Sequence, residues 1–336
     1  MNSLRARIKY LLCFLFLFAF RVTAFSAEPG APVRDADDAR RPVPSDQRPS
    51  SVLVYNYYTS NPTDAGKSDT EFSLTNISTS RSSYVHLFFV ADGGATADMF
   101  VCLTSNQTVS FLASEIDPGV AGYAVFFATD SVGCPVSFNF LIGSERVKTE
   151  SGHAAALSAE GYAALFNGPL PGCVATATSA VLALDGVRYT AAPQVLGLDK
   201  IPSPTDGNST LLILNGLEGN LAIAISAIKS VSGTLFDDAE SAFSFSASLT
   251  RTGPQFKTLL SDDFPQTTPK LTQVIRSGRT GWIRMMGDDG RAISGAVITL
   301  NANAATRKGA FNDGHNLHHL RSGSGSFTVP VFAPNC

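Results

Sequence analysis

The sequence predicts an all-β protein with two tandem Ig-like antiparallel β-sandwich domains, joined by a short connector that contains a hairpin. Composition is the first observation. Only 16% of the 336 residues are charged and 44% are hydrophobic, with 28 Gly, 18 Pro and 23 Phe. This balance favours strands and turns over long helices. The second observation is a series of short apolar stretches separated by turn residues, and the third is that their order occurs twice.

About seven short strands are predicted in the first half of the chain. They are rich in β-branched and aromatic residues, which fit a pleated, half-buried surface. The predicted strands cover residues 51–59, 71–78, 84–94, 99–105, 107–116, 122–133 and 135–143. Seven short strands with turns every ~8–12 residues are typical of an Ig-like sandwich.

The second half of the chain repeats the order of these turn and strand signals. The matching segments are 60–66 with 203–207, 73–76 with 212–215, 87–103 with 234–249, 107–117 with 254–264, 122–143 with 281–301, and 151–157 with 313–320. Turn geometry and the period-two face must recur together if the same sheet is to form twice. We therefore expect two related domains, at 51–157 and at 195–336 with its C-terminal strand.

A connector is predicted between the two domains, over residues 158–194. Its first part, AEGYAAL (159–165), favours a short helix, and its second part carries Asp185-Gly186 between apolar arms. An Asp-Gly pair in that setting predicts a tight hairpin. The segment FTVPVFAPN (327–335) predicts a final extended strand.

The N-terminus has the pattern of an export signal. Residues 1–27 combine basic residues, an apolar run of 11 residues from Tyr10 to Phe20 and small residues before Ala27. This pattern predicts a cleaved signal peptide, with an uncleaved anchor as the alternative. Residues 28–50 are rich in Pro, Asp, Arg and Ser and predict a flexible tether.

Cleavage would leave a more acidic chain. Four basic residues would be removed, which leaves 21 basic and 28 acidic residues and a net charge of −7. Such a chain without basic runs is not expected to bind nucleic acid or to adsorb to anionic lipid. We expect a secreted or cell-envelope protein with no membrane span in its mature form, whose partner is a protein or an extracellular polymer.

Four cysteines remain after the predicted signal peptide: Cys102, Cys134, Cys173 and Cys336. An even number in an oxidising compartment indicates two disulfides, with free buried thiols as the alternative. Three pairings are possible. We favour Cys102–Cys134, because both lie in one strand-rich block, and this leaves Cys173–Cys336. The sequence has no CxxC motif that would indicate a zinc ribbon or a thioredoxin-like site.

Several segments together resemble a group of known sequences. They are YNYYTSNPTD (55–64), HLFFV (86–90), FLASEIDPG (111–119), FNFLIG (138–143) and GAFNDGHNLHHL (309–320). Their order resembles uncharacterised exported bacterial proteins that carry tandem Ig-like β-sandwich modules. The resemblance implies export and a sandwich fold, and it implies no catalytic residues.

The most conspicuous cluster of chemically capable side chains is Asp313, His315, His318 and His319, because three of the five histidines fall within five residues. Imidazoles at this spacing could bind a metal ion. The Gly-His step at residue 315 matches the one at His153, which favours a structural role. We expect the structural role, and the metal site stays the alternative.

Paired acids in the second half are the other candidates for a metal site. They are Asp237-Asp238, Asp262-Asp263 and Asp288-Asp289. Calcium prefers six to eight oxygen ligands, which such loops could supply. None of the pairs has an EF-hand spacing, so solvated loop charge is the expectation.

Known catalytic motifs are missing: there is no GxSxG elbow, HExxH or Walker loop. We therefore expect no catalytic residues, no cofactor and no enzymatic activity. The predicted function is that of a secreted structural or adhesion-type protein that acts by surface recognition. The first alternative is a carbohydrate- or polymer-binding module, and the second is a metal-dependent hydrolase.

Overall fold

The computed structural model describes residues 44–61, 67–150, 153–225, 227–249, 253–259, 264–306 and 309–336. The predicted all-β class is confirmed, since the described residues form 22 strands. Two one-turn helices, α1 (Ala113–Ile116) and α2 (Leu271–Val274), and two 3-10 turns complete the regular structure. The predicted signal peptide and residues 28–43 of the predicted tether lie outside the described residues.

Nine strands from the first part of the chain form two sheets. The strands are β1 (Val52–Thr59), β2 (Asp69–Asn76), β3 (Ser83–Ala91), β4 (Thr96–Leu103), β5 (Gln107–Leu112), β6 (Ala121–Thr129), β7 (Leu141–Lys148), β8 (Ala154–Ser158) and β9 (Glu160–Tyr162). One sheet has the order β4-β3-β6-β1-β9 and the other the order β5-β2-β7-β8. An aromatic core that includes Tyr55, Phe72 and Phe126 combines residues of both sheets.

Thirteen strands from the rest of the chain form three further sheets. The strands are β10 (Ser179–Leu184), β11 (Pro193–Pro202), β12 (Ser209–Gly216), β13 (Glu218–Asn220), β14 (Ala224–Ile225), β15 (Ser230–Phe236), β16 (Ala242–Ser248), β17 (Gln255–Thr258), β18 (Thr280–Gly287), β19 (Ile293–Leu300), β20 (Asp313–Asn316), β21 (His318–Ser322) and β22 (Gly325–Pro330). The sheet orders are β16-β15-β18-β11-β21, β17-β12-β19-β20 and β10-β22-β13-β14.

The predicted pair of tandem Ig-like sandwiches is wrong. The structure has five small sheets in an arrangement like a five-bladed β-propeller. One core joins Val52 and Val125 of the first part to Leu182, Leu217 and Phe327 of the later part. Strand β1 is buried on both faces along nearly all its length. It packs against two cores, and an isolated sandwich would bury only one face of it.

Strand order nevertheless corresponds between the two parts of the chain. The five-stranded sheets β4-β3-β6-β1-β9 and β16-β15-β18-β11-β21 connect their strands in the same sequence, as do two of the four-stranded sheets. The register of β1 on β6 shifts between Tyr55 and Tyr58, and that of β11 on β18 shifts between Leu198 and Ile201. This places Asn56 and Asp199 at corresponding positions of the two sheets.

The predicted connector contributes strands to two different sheets. The helix predicted over 159–165 is wrong, because residues 160–162 form β9 and pair with β1. A turn does form at Asp185-Gly186, where the Asp185 carboxylate accepts bonds from the amides of Val187 and Arg188. The strand partner of β10, however, is β22 near the C-terminus. Of the predicted tether, Ser45 bridges Gly161 and Ser50 bridges Leu141.

Two disulfides form, as the cysteine count predicts. The favoured pairing is wrong, because the bonds join Cys102 to Cys336 and Cys134 to Cys173. The chain after β22 explains the pairing, since the Phe332 ring lies 5.4 Å from the Phe100 ring. This path carries the C-terminus to Cys102 on β4. Among the described residues, no helix is long and apolar enough to cross a membrane.

Candidate functional site

The histidine-rich segment joins the edges of two sheets. Strand β20 pairs with β19, and β21 pairs with β11. Leu317 lies between β20 and β21 and is 3% exposed, so its burial anchors the crossing from one sheet to the next. His318 and His319 are consecutive residues of a strand, and consecutive strand residues face opposite sides. The two imidazole rings therefore contact different residues on opposite sides of β21.

A cleft of about 550 Å³ opens beside this crossing. We name it the histidine cleft. Its lining comes from four chain segments: Pro44, Ser45, Asp46 and Gln47; Glu160; Asp199 and Lys200; and Asp313, His315, Asn316, Leu317, His318 and His319. A smaller cavity of about 110 Å³ shares Asp199, Lys200, Asp313 and His315 with it and adds Phe311. The lining brings residues from both parts of the chain to one place.

Asp199, His315 and His318 form a compact group in the cleft. The Oδ1 atom of Asp199 lies 3.5 Å from Nε2 of His315 and 3.2 Å from Nε2 of His318. One ligand atom from each residue lies within 4.8 Å of the other two. All three side chains are partly exposed. The group can therefore be reached from solvent.

His319 faces the opposite side, toward a buried carboxylate. Its Nε2 lies 3.3 Å from Oε1 of Glu160, an ion-pair distance without hydrogen-bond alignment. Burial acts to lower the pKa of His319, but the carboxylates of Glu160 and Asp46 outweigh it and raise that pKa. At the base of the cleft, the imidazole of His319, which readily takes up a proton, thus lies against the carboxylate of Glu160.

Glu160 is held by a polar network that connects the two parts of the chain. Its carboxylate accepts a hydrogen bond of 2.9 Å from Asn56. Asn56 also donates to Oδ1 of Asn316, and Asn316 donates to the carbonyl of Ser158. Asn215 in turn donates to the backbone oxygen of Asn56. These bonds connect residues of both parts of the chain beneath the cleft, although Oδ1 of Asn215 accepts no hydrogen bond.

Glu145 lies next to this network and carries an unusual proton affinity. Its Oε1 accepts from the amide of Tyr57, while its Oε2 has no hydrogen-bond partner. Burial raises the pKa of Glu145 well above its ordinary value, although amide hydrogen bonds from Tyr57 and Asn56 oppose this shift. Glu145 is not part of the cleft lining.

The structure brings together all four residues of the predicted cluster in the cleft lining. Only His315 and His318 belong to the three-residue group, while His319 contacts Glu160 and Asp313 lies outside the group. His153, which the sequence matches with His315, lies elsewhere and accepts bonds from Thr149 at its backbone oxygen. The metal-binding role and the structural role of His315 therefore both stay predictions.

The paired acids do not converge within the described part of the chain. Asp237 accepts bonds from the amides of a turn, and Asp238 pairs with Arg279 at 2.8 Å. Asp288 accepts from the amide of Lys229. Asp262 and Asp263 lie outside the described residues.

Asp199, Glu160 and Asn56 belong to the site but were missed by reasoning from the sequence. One signal could have indicated Asp199. It stands with Lys200 inside the otherwise apolar run VLGLDKIP, and a charged pair within a buried strand often has a specific role. Lys200 also has a φ of 50°, which is uncommon for a residue with a side chain.

Comparisons with known proteins give no family. No protein-family model matches the chain, and no curated protein matches it. Among solved structures, the chain is similar to a beta-glucuronidase from glycoside hydrolase family 2, with 7% identity and a TM-score of 0.14. This match covers 82% of this chain and 24% of the other chain. The chain thus spans about a quarter of that protein, and the likeness supports no inference about fold or function.

Proposed function

We propose that the protein is a secreted or cell-envelope recognition protein that binds an extracellular protein or polymer in the histidine cleft and catalyses no reaction. The observation that carries the proposal is the cleft itself. Its volume of about 550 Å³ falls in the ~300–1,000 Å³ range of ligand sites. Two disulfides and the lack of a membrane-spanning helix among the described residues are compatible with an extracellular location.

The charge of the lining favours a cationic ligand. The carboxylates of Asp46, Asp199 and Asp313 line the cleft, against the single ammonium group of Lys200, while the buried carboxylate of Glu160 is paired with His319. Complementary charge steers association and sets specificity. A lysine-rich peptide or an amino-sugar polymer therefore fits this lining better than an acidic partner does.

The test measures binding of a fluorescent oligolysine peptide and of a chitosan oligomer to the full chain after treatment with EDTA. The Asp46→Asn/Asp313→Asn variant removes two charges from the cleft. We expect its affinity to fall by about 2- to 30-fold, because exposed ion pairs contribute about 0.2–1 kcal/mol each. The matched control, Glu71→Gln/Glu150→Gln, removes two exposed charges that are not part of the lining and should bind as the parent does. Equal losses in both variants, or no binding by the parent, would refute the proposal.

A carbohydrate- or polymer-binding role is a more specific version, and Phe311 supports it. This ring is 47% exposed and lines the small cavity beside the cleft, where an aromatic face could pack on a sugar ring. Phe311→Ala should then weaken the binding of chitosan and leave that of oligolysine unchanged. Equal effects on both probes would count against the polymer.

A metal-dependent hydrolase is the second candidate, and the group of Asp199, His315 and His318 favours it. Catalytic zinc sites often use three protein ligands and leave one position for water. Hydrolysis of p-nitrophenyl phosphate or p-nitrophenyl acetate by the zinc-treated chain, lost in Asp199→Asn, would support this candidate over recognition. A rate unchanged by the substitution would reject it.

A further inference from the structure

We propose that Asp199, His315 and His318 form a binding site for a divalent transition-metal ion, with zinc as the ion that fits best. Distances are the first reason. Tetrahedral zinc has bonds of about 2.0–2.1 Å to nitrogen and oxygen, so that two of its ligand atoms lie about 3.3 Å apart. The distances from Oδ1 of Asp199 to the two imidazole nitrogens are 3.2 and 3.5 Å. Two of the three distances between ligand atoms therefore match those of a zinc site, and the third, between the two imidazoles, is within 4.8 Å.

The hydrogen bond on the far side of the His315 ring is the second reason. Nδ1 of His315 lies 2.9 Å from the backbone oxygen of Asn316. A carbonyl oxygen only accepts, so Nδ1 carries the proton. This leaves Nε2, which lies 3.5 Å from Oδ1 of Asp199, as the ring nitrogen that can ligate a metal ion. Ligand histidines commonly donate their other N–H to a carbonyl in this way.

The backbone that holds the three ligands is the third reason. His315 lies on β20 and His318 on β21, on either side of the buried anchor Leu317. Asp199 lies in β11 at the register shift between Leu198 and Ile201, two residues after Gly197, which is the strand partner of His318. All three ligands therefore come from paired strands, which position side chains more accurately than loops do.

A comparison within the chain shows that the backbone geometry alone does not require a metal. At the corresponding shift in β1, Asn56 donates a hydrogen bond to Glu160 at the start of β9. Asp199 and His318 occupy the corresponding positions of β11 and β21. At the first position, the carboxylate of Glu160 accepts a hydrogen bond from an amide and faces one imidazole, that of His319. At the second position, the carboxylate of Asp199 faces two imidazoles, which together are a set of metal ligands.

The chemistry of the ligands selects the type of ion. Calcium and magnesium prefer oxygen ligands only, whereas imidazole with carboxylate suits zinc and its transition-metal neighbours. The side chain of His318 is 57% exposed, so the ion would exchange with solvent and keep at least one open position. That position could hold water or a donor atom of a ligand in the cleft.

The experiment is isothermal titration of the full chain with zinc chloride, after dialysis against EDTA and in a non-coordinating buffer. We expect one zinc ion per chain, with no heat from calcium or magnesium. Asp199→Asn keeps the shape of the side chain, and it should weaken zinc binding by more than the ~10–100-fold that loss of an outer-shell partner costs. The matched control is Asp313→Asn, which removes an acid from the same cleft but not from the ligand group, and it should bind zinc as the parent does.

His318→Ala gives an independent check at an exposed position, and circular dichroism without zinc establishes that each variant is folded. No zinc binding by the parent would overturn the site, as would binding that survives both Asp199→Asn and His318→Ala. The titration contains no organic ligand, so its outcome does not depend on the recognition proposed above.

Discussion

Removal of the Cys102–Cys336 disulfide should destabilise both parts of the chain together. The two cysteines are 234 residues apart, and the Cys134–Cys173 pair, 39 residues apart, lies inside that loop. With the inner bond intact, the outer bond closes an effective loop of about 195 residues. Chain entropy then gives a stabilisation of about 5 kcal/mol for the outer bond and about 4 kcal/mol for the inner one.

The assay is unfolding by urea, monitored by two spectroscopic signals. It compares two double variants, Cys102→Ser/Cys336→Ser and Cys134→Ser/Cys173→Ser. Far-UV circular dichroism reports all sheets. The single tryptophan, Trp282, stacks on Phe236 at 3.9 Å and reports the sheet that contains β18. For the outer pair we expect both urea midpoints to fall together, and a thermal scan should show a drop in Tm of roughly 7–9 °C.

The common core is the physical reason for this expectation. The residues that surround Phe327 come from strands of the first part, the connector and the C-terminus. A structure of two independent sandwiches would lose the dichroism of one part and keep the fluorescence midpoint of Trp282. That result would refute the reasoning, because it would show that the common core does not couple the sheets.

Three further predictions follow from buried residues. Glu145→Gln should raise the free energy of unfolding at pH 8 and leave it nearly unchanged at pH 4.5. The pKa of Glu145 is raised in the folded state, so the stabilising protonated form is present at low pH and is lost as pH rises through the folded pKa. Equal stabilities of the variant and the parent from pH 4.5 to 8 would contradict this. Burial lowers the pKa of His86 below 6.5, although Asp98 opposes the shift, so stability should fall as pH drops below about 6.5, and His86→Gln should flatten this slope in urea titrations. Phe327→Ala should cost about 3–5 kcal/mol, as truncation of a fully buried aromatic does, and a loss below about 1 kcal/mol in urea unfolding would show that the common core is loosely packed.

Local signals predicted six of the seven strands expected in the first part, but not the arrangement of the sheets. The strand predicted over 135–143 is wrong, since it overlaps β7 (Leu141–Lys148) only at residues 141–143. The alternation of Phe72 and Leu74 with polar residues predicts β2, and the structure buries both side chains. The same reasoning cannot place β1, because a nearly continuous apolar strand is compatible with one core or with two. The structure buries β1 on both faces, and the second core includes residues more than a hundred positions away, such as Leu182 and Phe327.

Pairing of the cysteines depends on the same long-range packing. Cys102 and Cys134 are near each other in the sequence, but Cys134 lies next to Cys173 in space, beside the loop at Leu170. The C-terminal residues reach Cys102 because Phe332 packs against Phe100 and His86. No local sequence pattern predicts which part of the protein the C-terminal residues will pack against.

The candidate site shows the same division between local and long-range information. His315 and His318 could be identified from their spacing, since both lie in one short segment. Asp199 precedes them by more than a hundred residues and becomes their neighbour only through the pairing of β11 with β21. Asp199 therefore joins the site only because of the order in which the strands pair in the sheet.

The histidine cleft exists because the two parts of the chain meet, and this links its occupancy to the stability of the whole protein. Glu160 comes from β9, while Asp199 and His318 come from β11 and β21. Asn56 and Asn316 join the two sides by a direct hydrogen bond. Any ion or ligand that binds this assembled cleft, and not the unfolded chain, must stabilise the folded state by mass action. The stabilisation should therefore reach Trp282 and the first-part sheets alike, which the common core requires.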